Sequence, residues 1–311
     1  MRMKHFIITR FNIPFTGYAV STRRFSQSFD INILLDPKYL DYRFDLFEKT
    51  AYSSLANQTI QDFEWIILFY DKTPSKYKQR IGELVKKHSN MHPVFLSYDE
   101  AIDYQKILSK TIDDLVTDQT IDYVLSTRID NDDLFHPDFV KWIRQDITSC
   151  VETDNIQLDE NIEVVFSYPN GIHYSVQTKY LSRYQYPKNH FISLLSIYKK
   201  DETNQILSYN HTMIDKLGIR VIYFSKKEPV WCECVHNSNY ANVMDIKLSN
   251  IVWNYKDAST LYEQFGLLPS SKLNYYVQTG ANVLLIPIRG LIRKIKQKTK
   301  NIVKGMKSRN R

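Results

Sequence analysis

The chain has 311 residues, 43% hydrophobic and 24% charged, a balance that supports a globular core without disulfide or metal staples. Its net charge of +7 is unevenly placed: residues 281–311 hold 10 Lys and Arg and no Asp or Glu, leaving 31 basic against 34 acidic residues elsewhere. The body is therefore not a basic nucleic-acid binder, and no run approaches the ~20 apolar residues that span a bilayer.

Phe6-Ile-Ile-Thr9 reads as a first buried strand, and its apolar stretch is too short for a signal-peptide core, so no export signal is expected. Apolar residues at helical spacing (Phe44, Phe47, Ala51, Leu55) predict a helix over 43–55. Trp65–Tyr70 is apolar on both faces, as strands of a parallel sheet are. Pro74 opens a helix to about Lys87, since proline is tolerated in a first turn. A third strand is read at Val94–Ser97, a helix over 101–116 and a fourth strand at Asp122–Thr127. A helix follows Pro137 to about Cys150, and 154–161 is an acidic connection. Further strands are read at Glu163–Tyr168, Ile172–Val176, Phe191–Leu195 and Ile219–Phe224, with Asn170-Gly171 as a turn. Alternating strand and helix means βαβ units, hence an α/β fold with a mostly parallel central sheet flanked by helices. Ligands of such sheets bind at the carboxyl ends of the strands. That places Thr9-Arg10-Phe11, Asp71 and Arg128–Asp133 on one rim, the layout of a nucleotide site.

Thr127-Arg-Ile-Asp-Asn-Asp-Asp133 directly follows the fourth strand. Clustered carboxylates repel one another unless a cation neutralises them. Mn²⁺ or Mg²⁺ takes hard oxygen ligands, typically one or two carboxylates with substrate phosphates completing the shell. In an extended chain Asp130 and Asp132 share a face while Asp133 points away. Asp132 is then the expected direct ligand of this DxD motif, Asp130 serves metal or ribose, and Asp133 has a supporting or helix N-terminal role. The alternative is a solvated loop whose Asp residues cap a helix at Phe135. Arg128 is either an ion-pair partner of the acids or a fork for a diphosphate. Cys150, Cys232 and Cys234 give no disulfide framework and, with His236, no complete zinc set, so a reducing compartment is expected.

Several stretches together resemble the rhamnosyltransferase family of bacteria. They are His5-Phe-Ile-Ile-Thr-Arg-Phe-Asn12, Arg43-x-x-Leu46-Phe-Glu48, Ser54-Leu-Ala-Asn-Gln58-Thr59, Asp62-Phe-Glu-Trp65 and Asp71-x-Thr-Pro74. Arg128-Ile-Asp-Asn-Asp-Asp133, with His136, Asp138 and Phe139, is the most distinctive. The Ser-Leu-x-x-Gln-Thr stretch is also similar to the inverting family-2 glycosyltransferases, and later blocks at His190–Leu194, His211 and Trp231-x-x-x-Val235-His236-x-x-Asn239 look similar too.

The resemblance implies a GT-A type fold over 1–275, with a nucleotide-sugar half (1–150) and an acceptor half (151–275). It implies metal-dependent transfer of a sugar, rhamnose by the family name, in bacterial surface polysaccharide synthesis. The donor would be dTDP-, UDP- or GDP-linked and the acceptor a glycan or lipid-linked glycan. Thr9 and Arg10 would sit beside the nucleotide. Asp71 would serve the base or ribose, or else cap the helix at Pro74, and Arg43 would reach the donor, or else stand solvated on its helix. His236 would be a third metal ligand with Asp130 and Asp132. The family pattern expects an acidic residue near Leu195-Ser196 and none is there, so the general base is sought among Asp201, Glu202, His211 and Asp215. A non-catalytic nucleotide-sugar- or glycan-binding protein on the same fold is the alternative.

The segment 276–311 reads as a separate basic tail. Leu284, Ile288, Leu291, Ile295, Ile302 and Met306 form an apolar stripe with Lys and Arg on the other face, a helix suited to an anionic membrane surface. The expected location is cytoplasmic, peripheral on the inner face of the plasma membrane. Packing on the body is the rival reading; no nucleic-acid motif is present.

Overall fold

The computed structural model describes residues 1–14, 31–118, 120–153, 156, 162–236, 244 and 246–285. The acidic connection at 154–161 (apart from Ile156) and the basic stripe beyond Leu285 lie outside these residues. The chain forms two compact units, Met1–Gly171 with Gln185–Glu233, and Ile172–Tyr184 with Cys234–Arg311.

In chain order, β1 (Met3–Arg10) is followed by α1 (Pro37–Phe47). The Asp36 side chain caps α1 by accepting from the Tyr39 amide, and Pro37 takes a first-turn position where its missing N–H is not needed. A π turn over Glu48–Tyr52 leads into α2 (Ser53–Ala56). Then come β2 (Glu64–Tyr70), α3 (Ser75–Lys87), β3 (Met91–Leu96), α4 (Tyr98–Ile102) and α5 (Tyr104–Leu115). The helix expected over 101–116 starts earlier and breaks once. A Ser97–Glu100 capping box opens α4, and Asp103 leaves helical geometry between α4 and α5. Next are β4 (Tyr123–Arg128), β5 (Leu134–Phe135), α6 (Phe139–Glu152), β6 (Glu163–Ser167), β7 (Asn170–Ser175), β8 (Leu181–Gln185), β9 (Ile192–Ile197), β10 (Arg220–Tyr223), β11 (Trp231–Val235) and α7 (Tyr255–Gln264). A last helix, α8, covers 272–285. Among the described residues no helix is long and apolar enough to cross a membrane.

The first unit holds a seven-stranded sheet in the order β10-β6-β9-β4-β1-β2-β3. All its ladders are parallel except those of β9, which runs antiparallel to both β4 and β6. This is the mostly parallel α/β architecture that the strand and helix alternation predicts. Because side chains alternate along a strand, β2 feeds two cores. Ile66 and Leu68 join Tyr104, Leu108 and Ile112 of α5. Trp65 and Phe69 join Phe44, Phe47 and Phe11 on the other side, with Phe11 and Phe69 ring centroids 5.0 Å apart.

Asn170-Gly171 is not a turn; it opens β7. Gly171 is needed for close approach, since a Cβ there would meet the Trp231 ring at 2.3 Å. The indole in turn donates to the Tyr168 carbonyl at 2.7 Å.

A buried polar chain of three side chains crosses the sheet. His5 Nε2 lies 2.8 Å from Thr127 Oγ1, itself 2.7 Å from Ser193 Oγ. Burial, aided by the Arg144 charge, pushes the His5 pKa from 6.5 down to about 3. Below pH 6.5 the unfolded chain takes up a proton that the folded one refuses, so stability must fall as pH drops through that value. At about 1.4 kcal/mol per pKa unit, His5 contributes a loss of about 2 kcal/mol between pH 6.5 and pH 5. Urea titrations at those two values measure it, and the loss should shrink in His5→Gln.

The second unit is built around tyrosines. Tyr275 is buried with its ring centroid 5.3 Å from Tyr180, 5.6 Å from Tyr255 and 6.5 Å from Tyr262. Three tyrosine hydroxyls of the unit donate to backbone carbonyls: Tyr275 to Val252 O at 2.7 Å, Tyr174 to Leu268 O at 2.9 Å and Tyr255 to Ser270 O at 2.6 Å. Rings with polar edges thus share this core with Ile172, Leu181, Ile251, Val252, Leu261 and Leu267.

Candidate active site

The site forms where β4 ends. Asp130 to Asp133 is a turn, and Asp133 leads into β5 rather than a helix. The helix-capping alternative for this loop is therefore overturned: α6 begins only at Phe139. The loop is clamped from α1 and α2. Thr50, in the π turn, donates to Leu46 O and reaches Asn131 O at 3.5 Å. Ser54 accepts from the Phe135 amide at 2.8 Å. Gln58 donates to His136 O at 2.9 Å and accepts from the Val140 amide at 3.0 Å. Asn131 Nδ2 donates to Phe11 O at 3.0 Å, tying the loop to the end of β1.

Three carboxylates and three guanidinium groups meet here. Arg43 Nη1 is 3.1 Å from Asp132 Oδ2, and its Nη2 donates to Asn131 Oδ1; the Arg43 and Asp132 side chains are only 12% and 11% exposed. Arg128 grips Asp130 with contacts of 3.0 and 3.1 Å to its two oxygens. Burial alone would raise the Asp130 pKa. Arg128, then His190 and Arg10, outweigh it and hold the carboxyl well below its usual range. Asp133 is buried, and its Oδ2 lies 2.9 Å from His190 Nε2.

His190 was not singled out as a site residue by sequence reasoning. The antiparallel register Thr127↔Ser193, carried three residues further, sets His190 opposite Asp130. Ligand atoms of Asp130, Asp133 and His190 lie within 4.8 Å of one another. Two carboxylate oxygens and one imidazole nitrogen suit Mn²⁺, whereas Mg²⁺ prefers oxygen alone. Burial lowers the His190 pKa, against the pull of Asp130, and the neutral imidazole is the form that binds a cation. Asp132 is turned to Arg43 instead.

The other expected residues fall as follows. Thr9 is buried and accepts from the Trp65 indole at 3.0 Å. Arg10 ends β1, and its charge acts on Asp130 and His211. Asp71 follows β2, and its buried Oδ1 has no hydrogen-bond partner; the cap position of α3 is Pro74, so Asp71 does not cap that helix. His211 Nδ1 is 3.5 Å from Arg128 Nη1, and burial followed by the Arg128 charge pushes its pKa down to about 3. Asp201 and Glu202 are exposed and follow β9, whose end pairs with Tyr123 at the start of β4. Six strand residues at roughly 3.3 Å each separate that edge from the acidic loop. Asp215 lies in a short helical turn, Ile214–Leu217. His236 is buried just after β11, in the second unit.

A family model described as "Putative rhamnosyl transferase" matches residues 4–247. No curated protein matches the chain. Among solved structures, S. aureus TarS 1–349 in complex with UDP is 11% identical, with 76% of this chain and 61% of that chain covered at a TM-score of 0.34. A longer S. aureus TarS structure is 12% identical, covering 76% and 37% at a TM-score of 0.35. A nucleotide-diphospho-sugar transferase, described as putative, from Desulfovibrio desulfuricans G20 is 11% identical, covering 72% and 80% at a TM-score of 0.30. The chain thus spans less than two thirds of either TarS structure.

Proposed function

Since the chain belongs to this rhamnosyl transferase family, and is by that membership a glycosyltransferase, we propose that it moves a deoxyhexose such as rhamnose from a nucleotide-sugar to a hydroxyl of a glycan or lipid-linked glycan, with Mn²⁺ at the acidic loop of a GT-A type fold. The observation that carries this reading is the convergence of Asp130, Asp133 and His190 at the end of β4. Around them stand Arg128 and Arg43, each a planar fork that suits phosphate oxygens.

Charge supports the pairing of metal with diphosphate. Three carboxylates and the guanidiniums of Arg10, Arg43 and Arg128 roughly balance. A dication and a diphosphate entering together keep that balance, whereas either alone disturbs it. Bound there, the cation supplies positive charge where the leaving diphosphate gains negative charge. Arg128 and Arg43 orient the diphosphate and stabilise the same charge. A buried acceptor without a partner costs on the order of 1–3 kcal/mol, and a donor N–H or ribose hydroxyl of the nucleotide reaching Asp71 Oδ1 recovers it.

A thermal-shift screen tests the reading with dTDP-rhamnose, UDP-glucose and GDP-mannose, with and without Mn²⁺. A ligand at 100 times its dissociation constant adds about 2.7 kcal/mol. A shift of several degrees that needs Mn²⁺ is expected for one nucleotide class; no shift with any of them contradicts it.

The same reading puts the acceptor at a lipid surface. On α8 the side chains of Leu273, Tyr276, Val277 and Leu284 are 77%, 43%, 57% and 74% exposed, at helical spacing, and the sequence beyond adds 10 basic residues. Basic residues near an anionic surface contribute about 1 kcal/mol each. The protein should co-sediment with vesicles containing phosphatidylglycerol and lose most of that binding when residues 286–311 are deleted.

A further inference from the structure

Transfer to a hydroxyl needs a group that takes its proton, and neither Glu202 nor His211 is placed to supply one at the acidic loop. Glu202 is exposed at the opposite edge of the sheet. His211 is near, but its Nδ1 faces the Arg128 guanidinium at 3.5 Å. We propose that Glu233 is the general base; the proposal rests on the sugar-transfer reading above.

Glu233 sits in the middle of β11, between the buried thiols of Cys232 and Cys234, and is itself 9% exposed. Packing alone would favour an apolar residue there, because ionised carboxylates are costly to bury. The antiparallel register Trp231↔Phe135 and Cys232↔Leu134, carried one residue further, sets Glu233 across from Asp133. The period of two along a strand puts Glu233 on the face of Trp231. That indole stacks on Phe191 at 4.7 Å, and Phe191 follows His190. Glu233 therefore borders the group formed by Asp130, Asp133 and His190 without being a member of it. A carboxylate on the strand paired beside the acidic loop is placed to serve a hydroxyl brought to a diphosphate held there.

In the step, the acceptor oxygen bonds to the anomeric carbon as the bond from that carbon to the diphosphate oxygen breaks. The electron pair leaves with the nucleoside diphosphate, and the hydroxyl proton passes to a Glu233 carboxylate oxygen. Water can stand in for the acceptor, so donor hydrolysis reports the same proton transfer.

The test compares wild type, Glu233→Gln and Glu233→Ala with whichever of dTDP-rhamnose, UDP-glucose and GDP-mannose gives the Mn²⁺-dependent thermal shift. The expected result is an unchanged shift in Glu233→Gln with hydrolysis at least 100-fold slower, as befits loss of a base, and partial recovery of Glu233→Ala by added formate. Hydrolysis within threefold of wild type overturns the proposal. So does loss of the Mn²⁺-dependent shift, which would make Glu233 a metal ligand or a packing residue. If Glu233→Gln does not fold, Glu233→Asp replaces it. A lower kcat at unchanged donor KM then supports the base, and full activity overturns it. Failure of wild type to bind or hydrolyse any donor would instead sink the sugar-transfer reading beneath.

Discussion

Asp130→Asn and His190→Ala should each weaken Mn²⁺ binding by at least 100-fold and abolish the Mn²⁺-dependent part of the nucleotide shift. Each removes one of the three ligand atoms that, among the described residues, approach within 4.8 Å, and losing even an outer-sphere partner of a metal ligand typically costs 10–100-fold. Asp132→Asn should have a much smaller effect on metal affinity, because its carboxylate is turned to Arg43. Isothermal titration with MnCl₂ separates the three variants. Equal losses in all of them, or the largest loss in Asp132→Asn, would mean that the loop rearranges when metal arrives.

Arg43→Met should destabilise the protein by about 3–5 kcal/mol, the range for removing one partner of a buried ion pair. Both side chains are nearly nine-tenths buried, so a desolvated Asp132 loses the guanidinium that faces it and Asn131 Oδ1 loses a donor. At this chain size the midpoint should fall on the order of 10 °C. Adding Asp132→Asn to Arg43→Met should restore more than half of the loss, since the desolvated charge is gone; a double-mutant cycle measures that coupling. If the two losses simply add, Arg43 contributes through packing and not through its charge.

Much of the scaffold can be read from residue pattern. Trp65–Tyr70 announces a buried parallel strand because every residue is apolar. The acidic loop follows β4 as the rim argument requires. The sequence also carries Ser54, Gln58 and Thr59 as a recognisable motif, yet only the fold shows what they do. They clamp the loop: Ser54 and Gln58 bond its backbone and Thr59 bonds the Asp138 carboxylate. What could not be read depends on pairing between distant segments. His190 meets Asp130 because β9 inserts antiparallel between β4 and β6, and no local pattern encodes that insertion. Gly171 looks like half of an Asn-Gly turn until Trp231 is seen packed where its side chain would be. Asp132 and Asp133 depart from the expected directions for a similar reason. The face-sharing argument assumes an extended chain, but Asp130–Asp133 turns, which sends Asp133 to His190 and Asp132 to Arg43.

The central claim is sugar transfer at this loop, and the most direct measurement is release of nucleoside diphosphate from dTDP-rhamnose, UDP-glucose and GDP-mannose by the purified protein. The account predicts slow release from one nucleotide class, dependent on Mn²⁺ and lost in Asp130→Asn. Tight, Mn²⁺-dependent binding of a nucleotide-sugar with no release above background, even in the presence of lipid-linked glycan, would contradict it and leave a binding protein on a transferase fold.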